Sequence, residues 1–114
     1  MIQELSWTVE DIVKIEDEYK GMSMVMIAPS YSVTLIYKLV KYGLKDQDGK
    51  YQSEKIVNAF LNKWTKDGGD LYDLYIQVVK KLEDDGFLAR EIGLYQKIVD
   101  AKDSMKANKR MSNE

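Results

Sequence analysis

The chain has 114 residues, 45% of them hydrophobic and 32% charged, with a net charge of −2. This length suits one globular domain with its own core, and the small net charge gives no basic field for nucleic acid. Because Cys and His are both absent, disulfides, zinc sites built on these residues and Ser-His or Cys-His nucleophile pairs are excluded.

The sequence also argues against a membrane or exported protein. No run approaches the roughly 18 apolar residues that a membrane-spanning helix needs. The first residues are acidic and unlike a secretory signal, so we expect a cytoplasmic protein with no membrane partner. A single Pro and seven Gly favour helices over a turn-rich β-sandwich.

The first predicted helix runs from Val9 to about Lys20. Thr8 is its expected N-cap, and Asp11 is the reciprocal partner in a capping box. Gly21 is expected to end it. The helix carries five acidic residues, which we interpret as a solvated face, with an acidic docking surface as the alternative.

A methionine-rich stretch, Met22–Ile27, follows and is closed by Pro29. Methionine fills irregular gaps in cores and also forms adaptable binding surfaces, so both interpretations stay open. The alternating pattern is compatible with a strand. We favour a short helix that turns toward the next segment, because the run is short and ends in Pro.

The most apolar segment predicts a central helix from about Ser32 to Gly43. Its apolar residues form one stripe plus three positions outside it: Val33, Ile36, Tyr37, Val40 and Leu44, then Leu35, Leu39 and Tyr42. A helix that is apolar around most of its circumference is surrounded by neighbours, so this one should be buried. Either Ser30 or Ser32 is expected to cap it.

Two further helices are predicted after a polar turn. One begins at the cap Ser53 and ends near Lys66, with an apolar stripe on one side. The other begins at the cap Asp70 and has the most regular amphipathic pattern of the chain. Gly86 is expected to end this second helix.

The last predicted helix covers Leu88 to about Met105. Residues 107–114 are polar and without a pattern, which predicts a disordered tail. The sequence therefore predicts an all-α fold: a single compact domain over residues 1–106, built of about five to six short helices around the apolar helix at about 32–43.

No constellation of residues points to catalysis. The adjacent carboxylates Asp17-Glu18 and Asp84-Asp85 point in different directions if they lie in helices. The pair Gly68-Gly69 lacks the Lys-Ser/Thr that completes a phosphate-binding P-loop. We therefore expect a protein that is not an enzyme, with no catalytic residues, no metal site and no cofactor.

The remaining expectation is protein binding, and Met and Tyr are the residue types expected to contact the partner. Tyrosine is over-represented among interface hot spots, and this chain has eight. The residues expected to contact a protein partner are Met22, Met24, Met26, Tyr31 and Tyr51. Packing in the core is the alternative for all of them.

The order of segments carries a family resemblance. The segment Thr8–Gly21, TVEDIVKIEDEYKG, is followed by an apolar helix, Leu35–Lys45, LIYKLVKYGLK. A polar loop, a helix start at Ser53-Glu54 and a helix ending at Gly86 come next. From Leu5 to Phe87 this order resembles the small tail assembly chaperones of long-tailed bacteriophages and gene-transfer-agent-like prophages.

The resemblance implies a non-enzymatic helper in the host bacterial cytoplasm. Such proteins bind the tape-measure protein and keep its apolar helices soluble during tail morphogenesis. The expected partner is therefore a protein, the tape-measure protein, with self-association left open. The alternative is a small helical DNA-binding or regulatory domain. Nucleic acid is the less favoured partner, because a recognition helix needs exposed Arg, Asn or Gln. The chain has only two arginines, Arg90 and Arg110.

Overall fold

The computed structural model describes residues 2–112, with side chains over residues 2–106. Within these residues there are six α-helices, two short 3-10 turns at Ile2–Glu4 and Arg90–Ile92, and no strand. The helices are α1 (Val9–Glu18), α2 (Met24–Ile27), α3 (Val33–Gly43), α4 (Glu54–Lys66), α5 (Leu71–Asp84) and α6 (Leu94–Ser112). The prediction of a single all-α domain is confirmed.

Local capping explains where four of these helices begin. The caps are Thr8, Ser32, Ser53 and Asp70, and each side chain accepts a hydrogen bond from a first-turn backbone N–H. At α1 the Thr8 N–H also donates to the Asp11 carboxylate at 2.7 Å, which completes the predicted capping box. Because these amide donors are satisfied by neighbouring side chains, the helix starts are determined locally and do not depend on tertiary packing.

Helix α3 lies at the centre and packs against α1, α4 and α5. Leu35, Ile36, Leu39 and Val40 are all 0% exposed, which confirms the predicted buried central helix. One member of the predicted stripe differs: Val33, the first residue of α3, remains 58% exposed.

The end of α3 is held by Trp7. The indole N–H of Trp7 donates to the Leu39 carbonyl at 3.0 Å, and a Cβ at Gly43 would lie 2.6 Å from the indole ring. Gly43 is therefore required for this close approach, and the chain then pairs Leu44 with Leu5 in an antiparallel bridge.

Three predicted helix boundaries shift. Helix α1 ends at Glu18, because Lys20 and Gly21 adopt positive φ angles of 58° and 82°. The last helix begins at Leu94 rather than Leu88, because Gly93 has a φ of 64° and ends a separate 3-10 turn before α6 begins. Helix α6 continues to Ser112, past the predicted end near Met105, and the side chains of the tail predicted at 107–114 lie outside those that the structure describes.

Candidate protein-binding face

The methionine-rich stretch forms the short helix α2, as predicted, and polar groups define where it begins. The Ser23 hydroxyl accepts a hydrogen bond from the Val25 N–H at 3.2 Å. The Glu16 carboxylate of α1 accepts one from the Met24 N–H at 2.8 Å. A helix of four residues is thus tied to α1, which orients its two sides.

The two sides of α2 have opposite environments. Met24 is 1% exposed and Ile27 and Ala28 are equally buried, so the prediction that Met24 contacts a partner is wrong. Its side chain lies on the side of α2 that belongs to the core cluster. Met26, two residues later, is 65% exposed, and Met22 is 46% exposed.

The outer side of α2 continues onto the turn before α6. Val25 and Pro29 line a small cleft whose other walls are Leu88, Ala89, Ile92 and Leu94, all of them apolar. Its volume of about 20 Å³ holds roughly one water, too little for a small-molecule ligand. We call the exposed or half-buried residues here, Met22, Val25, Met26, Pro29 and Ile92, the methionine face.

Tyr31 lies just beyond this face in an aromatic cluster. Its ring centroid is 5.0 Å from that of Tyr72 and 5.0 Å from that of Tyr75, and the ring stays partly exposed. The Tyr75 hydroxyl donates to the Ala28 carbonyl at 2.5 Å, which ties the end of α2 to α5. Burial, helped by neighbouring Tyr72, raises the pKa of Tyr75 to about 12, so its hydroxyl stays a neutral donor.

Tyr51 is placed elsewhere. Its hydroxyl donates to the Asp11 carboxylate in the first turn of α1, whereas Met22 follows the last turn. Its ring packs edge-on against Tyr42, with the Lys14 ammonium 4.7 Å from the ring centroid. The structure therefore separates Tyr51 from the methionine face, although part of its ring is exposed.

Asp11 is the centre of a polar cluster that the sequence pattern did not reveal. Its carboxylate is buried and accepts hydrogen bonds from Lys45 at 2.6 Å, from Tyr51 and from Thr8. Burial by itself raises the pKa of Asp11, but these donors outweigh it and the pKa is lowered. The carboxylate is thus ionised with its oxygens occupied, which suits a structural tie between α1 and the 45–51 hairpin.

The missed members of the methionine face differ in how far the sequence could have revealed them. Met22 and Met26 were predicted, and the missed Val25 and Pro29 are four residues apart, a spacing that places them on one side once a helix is assumed. Ile92 joins them only through tertiary packing, because it lines the same cleft as Val25 and Pro29 from a distant part of the chain.

Across residues 2–112, no group of three or more carboxylates could hold a metal ion, and no helix is long and apolar enough to cross a membrane. No protein-family model, no curated protein and no solved structure matches the chain.

Proposed function

We propose that the protein is a non-enzymatic tail assembly chaperone of a long-tailed bacteriophage or prophage, which binds the tape-measure protein through the methionine face. The observation that carries this proposal is the exposure of Met22 and Met26 on the segment whose Val25 and Pro29 line an all-apolar cleft. Methionine side chains are flexible and polarisable, so one such surface accommodates many apolar partner sequences.

The extent of the face suits a helical partner. Met22 precedes the one-turn helix α2 and Pro29 follows it, so exposed apolar groups extend beyond both ends of this helix. The apolar stripe of an amphipathic helix has side chains that such a surface can accept. Burying one such side chain contributes about 2 kcal/mol, which gives the modest affinity expected of a reversible chaperone.

The test is co-expression with the tape-measure protein of the same gene cluster. We expect the wild-type chain to keep that protein in the soluble fraction and to co-purify with it. Met26→Ser should reduce co-purification and leave the melting temperature unchanged, because Met26 is 65% exposed. If the wild-type chain leaves the tape-measure protein insoluble, the proposal is wrong.

Met24→Ser is the matched control, since it makes the same chemical change on the opposite side of α2. Met24 is buried, so this variant should lower the melting temperature through a lost core contact. A Met26→Ser variant that loses stability instead would assign Met26 to the core and remove the methionine face.

A second candidate function, a small DNA-binding or regulatory domain, is favoured by one observation. Helices α4 and α5 are joined by a short turn, and α4 exposes Lys55, Lys63 and Lys66. Duplex DNA binding through such lysines would weaken steeply with salt in an anisotropy titration. No binding at low salt would exclude this candidate.

A further inference from the structure

A second apolar surface lies on α4, away from the methionine face. A groove of about 430 Å³ runs along it, with Leu44, Ile56, Ala59 and Phe60 among its lining residues. Ile56 is 45% exposed and lies with the other apolar lining residues, so the groove has a contiguous apolar wall. The groove has room for two or three side chains of another helix.

The helix that carries this groove is basic. Lys45 and Lys63 line the groove together with one acid, Glu4, and α4 as a whole carries three lysines, Lys55, Lys63 and Lys66, against the single acid Glu54. All three lysines are exposed, and none forms an ion pair with another described side chain. Their charge is therefore available to an acidic partner.

Helix α1 presents the complementary surface. Val9 and Val13, one helical turn apart, are 71% and 48% exposed, and Glu10 and Asp17 lie exposed beside them. Of the five acids in residues 8–20, Asp11 is buried and Glu16 accepts a hydrogen bond from the Met24 N–H. The acids beside the two valines are Asp17 and Glu10, whose carboxylate lies 3.6 Å from the Lys14 ammonium. An acidic helix with two exposed valines is the chemistry that the α4 groove would accept.

We propose that the exposed face of α1 docks into the α4 groove of a second copy of this chain, forming a two-fold dimer. Both surfaces border the 45–51 hairpin, because Lys45 lines both the α4 groove and the depression that contains Glu10. A two-fold axis beside this hairpin pairs each α1 with the partner's α4, so the complementary contact is made twice.

The proposed contact is independent of the chaperone role, and its charges make it sensitive to salt. The acids and lysines are at the protein surface, where screening acts over about 8 Å at physiological ionic strength. We expect the dissociation constant to rise about tenfold between roughly 50 mM and 500 mM salt.

The test is sedimentation equilibrium with two charge-reversed variants of the full chain. Glu10→Lys with Asp17→Lys makes α1 basic, and Lys63→Glu with Lys66→Glu makes α4 acidic. Each variant alone should be monomeric at concentrations where the wild type is dimeric, because each repels its own copy twice. An equimolar mixture should dimerise, because both contacts are then again between opposite charges.

Three controls keep this test decisive. Cooperative thermal unfolding shows that the reversed variants are folded. Their melting temperatures should fall by only a few degrees, because Glu10 lies in the first turn of α1 and Lys63 and Lys66 in the last turn of α4, where the reversed charges oppose the helix dipole. Met26→Ser should dimerise like the wild type, which separates this contact from the methionine face. A wild type that stays monomeric at low salt, single variants that still dimerise, a mixture that does not, or assemblies larger than a dimer would each overturn the proposal.

Discussion

Helices α3 and α2 are the two most apolar segments of the chain, and the fold uses them differently. In α3 four residues are fully buried, because α1, α4 and α5 surround the helix: Leu35, Ile36, Leu39 and Val40. In α2, Met24 is buried while Met26 is 65% exposed. Apolar composition therefore predicts burial only where neighbours exist on every side, and the unpaired side of α2 is the surface available for binding.

The largest expected effect comes from shortening a side chain at the centre of α3. Leu39→Ala should lower the free energy of unfolding by about 3 kcal/mol, because Leu39 is fully buried and its removal leaves a cavity. Val33→Ala, on the same helix but exposed, should change it by less than about 0.5 kcal/mol. Urea denaturation of both variants measures the difference, and equal losses would contradict a buried α3.

The next largest effect concerns the ion pair between Asp11 of α1 and Lys45, which follows α3. Asp11→Asn should cost about 2–3 kcal/mol, because it leaves the Lys45 ammonium beside a neutral amide in a largely buried site. Asp17→Asn on the exposed side of α1 is the control and should be nearly neutral. If the two variants were equally stable, the buried tie would contribute nothing.

The same carboxylate predicts a pH dependence. The pKa of Asp11 is lowered in the folded state, so its contribution is present above the ordinary value of 3.8 and is lost as the pH falls through the folded pKa. In the wild type, unfolding free energy should therefore decline below about pH 4 more steeply than in Asp11→Asn. Parallel pH profiles would show that other carboxylates carry the dependence.

A smaller effect is expected where α2 is joined to α5. Tyr75→Phe removes the hydroxyl that donates to the Ala28 carbonyl at 2.5 Å and leaves this buried acceptor unsatisfied. We expect a loss of about 1–2 kcal/mol. Relative to the wild type, the variant's hydrogen exchange should accelerate more at the α2 amides than at the α3 amides. No acceleration in α2 would mean that this hydrogen bond does not hold the helix.

The smallest effect tests the turn that ends α5. Gly86 has a φ of 89°, and the following Phe87 N–H donates to the Leu82 carbonyl at 2.9 Å, as in a glycine-terminated helix. Gly86→Ala should cost about 1 kcal/mol, because a side chain is strained at this φ. Thermal unfolding measures it, and a stabilised variant would contradict the assigned turn.

Local signals predicted the helices well. The caps Thr8, Ser32, Ser53 and Asp70 were readable because a capping side chain bonds to amides two or three residues away. The burial of α3 was readable because its apolar residues cover most of the circumference. Both depend on short stretches of sequence.

Features that depend on distant residues were not readable. Asp11 meets Lys45 and Tyr51, which lie 34 and 40 residues further along the chain. The choice between Met24 and Met26 for the core depends on where α1 places the start of α2. A run of alternating apolar residues contains no information about which side has a neighbour.

The most direct test of the difference between α2 and α3 is the oxidation rate of individual methionines. The folded protein would be treated with dilute hydrogen peroxide, and each sulfoxide would be quantified by peptide mass spectrometry. We predict fast oxidation of Met22 and Met26 and strong protection of Met24, which is 1% exposed. Equal rates at Met24 and Met26 would contradict the division of α2 into a core side and a binding side.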